Sequence, residues 1–144
     1  MPIEVGLIEF NSEQYIESVA LRQDVLRTPL GLKFTKENMV TDEHEYHLAA
    51  TDGEKLVGIL LLRPINDDVV KMRQVAVSHE VQGQGIGKLM VKHSEELAKN
   101  LGFNLLELNA RKVALDFYLS QGYSIEGEEF LEIGIPHFKM FKRL

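Results

Sequence analysis

The sequence contains no cysteine. Disulfides, thiolate metal sites and cysteine nucleophiles are therefore excluded. It also lacks any run of about 18 apolar residues, the length a membrane-spanning helix needs. The first residues, MPIEVGLIEF, show no basic stretch followed by an apolar core. No secretory signal is read there, and a cytoplasmic location without membrane attachment is the expectation. Basic residues are outnumbered, 16 Lys and Arg against 22 Asp and Glu, for a formal charge of −6. Binding to nucleic acid needs clustered Lys and Arg, so no nucleic-acid partner is expected. A mildly acidic surface suits a cationic substrate such as an amine.

What is present is enough for one core. The 144 residues are 44% hydrophobic and 26% charged, with no repeat, low-complexity segment or linker, so residues 1–144 read as a single domain. Met1 to Phe10 reads as a strand, and Asn11 and Ser12 offer N-caps for a helix carrying Tyr15, Ile16, Val19, Gln23 and Leu26. That helix ends at Thr28-Pro29-Leu30-Gly31, and the polar stretch Lys33 to Glu45 predicts a short second helix. Asp52-Gly53 between two apolar runs signals a hairpin, and a third strand covers Val69 to Val77. A helix with Ile86, Leu89, Met90, His93 and Leu97 on one face then ends at Gly102. A strand at Leu105 to Ala110, a helix through Tyr118 to Gly122, and strands over 123–128 and 137–144 complete the pattern. The order β-α-α-β-β-β-α-β-α-β-β predicts an α/β domain with a mixed sheet, in which one crossover makes two strands parallel.

That crossover contains VQGQGIGKLM, with Gly83, Gly85 and Gly87 at alternate positions before an amphipathic helix. A helix N-terminus exposes unpaired N–H groups and partial positive charge, and glycines let an anion approach them. The other reading is a turn that only packs strand against helix; three alternating glycines favour the anion cradle. Two common nucleotide motifs fail on spacing: G-x-G-x-G is not the dinucleotide G-x-G-x-x-G, and Gly87-Lys88 is followed by Leu89 where a Walker loop needs Ser or Thr.

The pattern that fits is Q-x-x-G-x-G, Gln82 to Gly87. It closely resembles the acyl-CoA pyrophosphate loop of the GNAT N-acetyltransferase superfamily. VAVSHEVQGQGIG is similar to that family's fourth strand, loop and third helix. LNARKVALDFYLSQGY is similar to its fifth strand and fourth helix, with Phe117-Tyr118 and Gly122-Tyr123 at the expected distance. FLEIGIPHFKM, residues 130–140, resembles the ending of the ElaA-like subgroup of small bacterial members. The resemblance implies a mixed central sheet of about six to seven strands flanked by about four helices, with a splayed parallel pair.

It also implies direct acetyl transfer from acetyl-CoA to an amine in a ternary complex, with no metal. On this resemblance the backbones of Val75 and Val77 face the cofactor, and the Val75 N–H polarises the acetyl carbonyl. Gln82, Gly83, Gln84, Gly85, Ile86, Gly87 and Lys88 form the pyrophosphate site, with Phe117 and Tyr118 as further cofactor contacts. Tyr118 is the candidate general acid, or else a core tyrosine packed beside Phe117. Asn109 is a pantetheine or thioester contact or a cap, and Arg111 reaches a CoA phosphate or sits solvated. Where some members carry a strand-four glutamate, this chain has Lys71, so the candidate bases are His137, Glu107 and Glu132. His137 has an acceptor-site or a structural role. Arg22 and Arg27 either recognise an acidic group on the acceptor or are solvated on their helix. His44 and His47 have no third partner at metal spacing. A homodimer through an apolar sheet edge at Phe138 to Leu144 is open, and so is a second function, a non-catalytic CoA-binding sensor.

Overall fold

Strand β3 (Lys55–Pro64) is buried without a break from Leu56 to Leu62, because helices cover both of its faces. This is a computed structural model, and it describes residues 2–144. β3 pairs antiparallel with β2 (Tyr46–Asp52) across the Gly53-Glu54 turn, and β2 with β1 (Ile3–Ile8). On its other side β3 pairs with β4 (Val69–Val77), which runs parallel to β5 (Leu105–Arg111). The last hairpin, β6 (Ser124–Glu132) and β7 (Ile135–Arg143), adds on through β7, giving the order β1-β2-β3-β4-β5-β7-β6. The expected mixed sheet with one parallel pair is what forms. β7 lies inside the sheet between β5 and β6, so Phe138 to Leu144 offers no edge for a partner strand; the edges are β1 and β6.

Helix α1 (Glu13–Arg22) starts at Ser12, whose hydroxyl accepts from the Tyr15 N–H at 3.1 Å. It continues as a π-helical turn, Gln23–Arg27, then a 3₁₀ turn, Thr28–Leu30. Leu21, Val25 and Leu26 pack on Ala49, Ile59, Leu61 and Ala76, closing one face of the sheet. Helices α2 (Ile86–Asn100) and α3 (Leu115–Leu119) close the other, where Ile86, Met90, Val91 and Tyr118 join Leu60, Leu62, Val70, Met72, Leu106 and Leu108. No helix among the described residues is long and apolar enough to cross a membrane.

The helix expected between Lys33 and Glu45 does not form. Only two 3₁₀ turns occur there, Glu37–Met39 and Asp42–His44. The segment has no apolar stripe to bury; what it buries instead are acids. Asp42 is fully buried, accepting from Arg22 Nη1 at 2.8 Å and Tyr15 Oη at 2.7 Å. Its carbonyl accepts from His47 Nε2 at 2.7 Å, which gives His47 a structural place. Glu45 lies 3.2 Å from Arg73 Nε. Burial pushes the Glu45 carboxyl up and pulls the Arg73 guanidinium down from their usual values, and each partner's charge opposes the other's shift.

The β6–β7 turn is strained. Its two central residues, Ile133 and Gly134, have φ of 48° and 74°, the left-handed pair that a two-residue hairpin uses and Asn-Gly suits. A β-branched side chain there is disfavoured. Ile133→Asn is expected to stabilise the fold by about 1 kcal/mol and raise the unfolding midpoint by about 3–5 °C. An unchanged or lower midpoint in a calorimetric scan would mean that the contacts of Ile133 outweigh its strain.

Candidate active site

The parallel pair separates. β4 and β5 are in register only from Val69↔Leu105 to Met72↔Leu108, and beyond Met72 the β5-facing side of β4 has no strand partner. A bulge is the cause. Leu61 pairs with Arg73 and Ile59 with Ala76, so two residues on β4, Gln74 and Val75, oppose the single Leu60 on β3. Gln74 takes the extra turn at φ 57°, an unfavourable conformation for a residue with a side chain. The bulge also reverses the alternation of side chains. Before it, Val70 and Met72 face α2; after it, Val75 and Val77 pack on that side while Ala76 joins the α1-side cluster. A cleft of about 410 Å³ opens between the diverging strands, reaching from Ala114 and Tyr118 on one side to Val25, Leu26 and Arg27 on the other.

The glycine loop lies at the end of β4 that diverges. Gly83 and Gly85 have φ of 81° and 82°, and a Cβ built on either meets nothing within 4 Å, so the space over both is open. Gly85 is the N-cap of α2, with no side chain satisfying the helix's first N–H groups and no acid in the first turn. Those donors are left for an anion. At Gly87 a Cβ would stand 3.5 Å from the Phe117 ring, an ordinary contact, so the space there is filled but not too tight for a side-chain methyl. Gln82 is already engaged, its Nε2 donating to the Val77 carbonyl at 2.9 Å and so tying the loop to β4. Ile86 is a core side chain that offers only its backbone, whereas Lys88 is exposed. These open glycines, free donors and adjoining cleft fit a pyrophosphate with an extended thiol arm.

Inside the cleft, Tyr118 is 7% exposed and packs edge-on against both Phe117 and Tyr123, so it is at once a core residue and a lining residue. Burial pushes its phenol up to about 12, which keeps the proton on oxygen across the neutral range. On the α1 side His137, 3% exposed, has Nδ1 at 2.7 Å from the Ile135 carbonyl and Nε2 at 3.3 Å from Glu132 Oε2. A carbonyl only accepts, so Nδ1 donates to it, and Nε2 is the ring nitrogen that faces Glu132. Asn109 Nδ2 donates to the other oxygen of Glu132 at 3.1 Å. Of the candidate bases, Glu132 and His137 thus come together in the cleft. Glu107 instead faces Lys139 at 3.6 Å and does not line it.

Arg111 sits on the α1 side, with Nη2 donating to the Leu26 carbonyl at 3.1 Å. Arg27 donates to the same carbonyl at 3.2 Å and lies 4.3 Å over the Phe34 ring. Arg22, expected either at the acceptor or in solvent, is in neither place: it is wholly buried on Asp42. His93, expected in the core, is half-buried. Three polar lining residues were not singled out in the sequence as site groups: Arg63, Arg73 and Gln74. The alternation Val70-Lys71-Met72-Arg73 carries the signal for Arg73, because a strand that buries one face must turn the cations to the other. Nothing in the sequence signals the bulge at Gln74.

Comparison with known proteins agrees with this geometry. The sequence pattern of the Acetyltransferase (GNAT) domain matches residues 23–144. A Bacillus subtilis protein named as an uncharacterized N-acetyltransferase, YjcF, is 31% identical over 138 residues, covering 95% of this chain and 98% of its own. Escherichia coli ElaA has the same fold, with a TM-score of 0.82 at 19% identity, covering 98% of this chain and 99% of its own. So does a GNAT family acetyltransferase from Elizabethkingia anophelis with acetyl-CoA bound, with a TM-score of 0.79 at 18% identity over 99% of this chain and 98% of its own. The chain belongs to the GNAT acetyltransferase family.

Proposed function

We propose that this chain transfers an acetyl group from acetyl-CoA directly to a primary amine, both bound at once. The observation that carries this is the place of the cleft. It opens where β4 and β5 diverge, β4 runs on from it toward the open glycines at the α2 N-terminus, and it holds the buried His137 beside the exposed Glu132. When bound, acetyl-CoA supplies a thioester carbonyl as the electrophile.

The protein's own groups then divide the work. The N–H groups from Gly83 to Lys88 bind the pyrophosphate without demanding a counter-charge in the first turn. The unpaired side of β4 after Met72 orients the extended thiol arm through main-chain hydrogen bonds, and the Val75 N–H meets the carbonyl oxygen as charge develops there. The Glu132–His137 pair takes the proton that the attacking amine must shed, directly or through one water. Tyr118 hydrogen-bonds the departing sulfur. Its resting value of about 12 lies above the about 8.5 of an ordinary thiol, so it acts by sharing its proton and not by ionising outright.

Gly85→Val tests the cradle. A β-branched residue at φ 82° is strained and fills the open space over the loop. The KM for acetyl-CoA, read by thiol release, is expected to rise about tenfold or more, with kcat at saturation changed far less. An unchanged KM would place the pyrophosphate elsewhere.

A further inference from the structure

The acceptor side of the cleft holds more positive charge than acetyl transfer to an amine requires. Five cationic side chains line it, Arg27, Arg63, Lys71, Arg73 and Arg111, against one carboxylate, Glu132. This is the reverse of the chain as a whole, whose formal charge is −6. Arg73 has a partner in Glu45. Glu132 is occupied by Asn109 and His137. Among the described residues, no carboxylate lies within 4.0 Å of the basic groups of Arg27, Arg63, Lys71 or Arg111.

Two of these cations are held together. Arg27 Nη1 and Arg111 Nη2 donate to one acceptor, the Leu26 carbonyl, at 3.2 and 3.1 Å, and Phe34 backs Arg27. Burial, and then the nearby charges of Arg111 and Arg22, pull the Arg27 guanidinium below its usual value. Two half-buried guanidiniums around a single carbonyl repel each other, and an oxyanion between them relieves that repulsion. Each fork keeps most of its five N–H donors in a fixed plane, the geometry that suits a carboxylate or phosphoryl group. Nearby, Gln74 lines the same cleft with its Oε1 buried and without a hydrogen-bond partner among the described residues, an acceptor suited to an amine N–H.

We propose that the acetyl acceptor is an anionic amine, a small primary amine carrying a carboxylate or phosphoryl group that Arg27 and Arg111 clamp while Lys71 and Arg63 add to the field. The proposal rests on the acetyltransferase reading. In the reaction the neutral amine forms a C–N bond to the acetyl carbon and the C–S bond breaks. The proton shed by nitrogen goes to the Glu132–His137 pair and from there to solvent, while the departing thiolate, held by the Tyr118 hydroxyl, takes one proton from solvent, so charge and atoms balance.

The test compares amines matched except for the anion, with thiol release as the readout. β-Alanine is set against β-alaninamide, and 2-aminoethylphosphonate against ethylamine, each corrected for its neutral amine fraction. The wild-type kcat/KM is expected to favour the anionic member of at least one pair by about 10–100-fold. The pair that responds distinguishes carboxylate from phosphoryl. Added salt should shrink the preference, and so should Arg111→Gln or the exposed-site variant Arg63→Gln. Binding of the same amines, followed by ligand-observed NMR without acetyl-CoA, should show the same order. Equal or reversed preference in both pairs, or faster acetylation of a lysine peptide than of any anionic amine, overturns the proposal. If neutral amines are acetylated, the acetyltransferase reading survives that failure. If acetyl-CoA neither binds nor loses its acetyl group to any amine, both fall together.

Discussion

Replacing Tyr118 by phenylalanine is expected to lower kcat by about 10²–10³-fold while the KM for acetyl-CoA changes less than about threefold. The ring is what packs against Phe117 and Tyr123, and phenylalanine keeps it. Only the hydroxyl is lost, and no protein group is hydrogen-bonded to it among the described residues, so its removal leaves no orphaned partner. The pH dependence gives a second reading. The hydroxyl must carry its proton to act, and burial places its loss near pH 12. Activity therefore rises with pH as the acceptor amine deprotonates and shows no falling limb from Tyr118 until the pH approaches about 11. A kcat unaffected by Tyr118→Phe would show that sulfur leaves without this residue. Turnover absent from the wild type, with acetyl-CoA still bound, would point instead to a CoA-binding sensor.

Asp42→Ala should be among the most damaging single changes to the fold, costing about 3–5 kcal/mol and lowering the unfolding midpoint by about 10–20 °C. It strands the fully buried Arg22 guanidinium without a counterion and removes the acceptor of the Tyr15 hydroxyl. The 2.7 Å bond to that carboxylate helps burial push the Tyr15 phenol up to about 12. The double change Arg22→Met with Asp42→Leu should recover most of the loss, because the penalty comes from the unpaired charge and not from the absence of an ion pair. A loss below about 1 kcal/mol for Asp42→Ala would show that water reaches Arg22.

The parts of the site carried by local sequence were legible from it. The glycine loop, the hairpin at Asp52-Gly53 and the parallel crossover all depend on turn chemistry or periodicity within a few residues. What escaped depends on partners distant in sequence. Arg22 on an amphipathic helix is by default a solvated cation, and only the 3₁₀ turn at Asp42, 20 residues away, makes it a core residue. The Glu132–His137 pair requires the two-residue Ile133-Gly134 turn and the placing of Arg111 opposite His137, a register between β5 and β7, which are neighbours in the sheet but not consecutive in sequence. The expected dimer edge failed for the same reason, since β7 looks terminal in sequence but is inserted between β5 and β6. The overall acidity also says nothing of where the cations gather, and five of them line the cleft.

Thermal unfolding with and without acetyl-CoA, with ATP and NAD as controls, tests the central claim most directly. A ligand of the folded state at a hundredfold excess over its dissociation constant adds about 2.7 kcal/mol. For a domain of this length the midpoint should rise by about 5–15 °C with acetyl-CoA and stay put with ATP and NAD. No shift at millimolar acetyl-CoA, or an equal shift with all three, would contradict the assignment of the loop and cleft as an acetyl-CoA site.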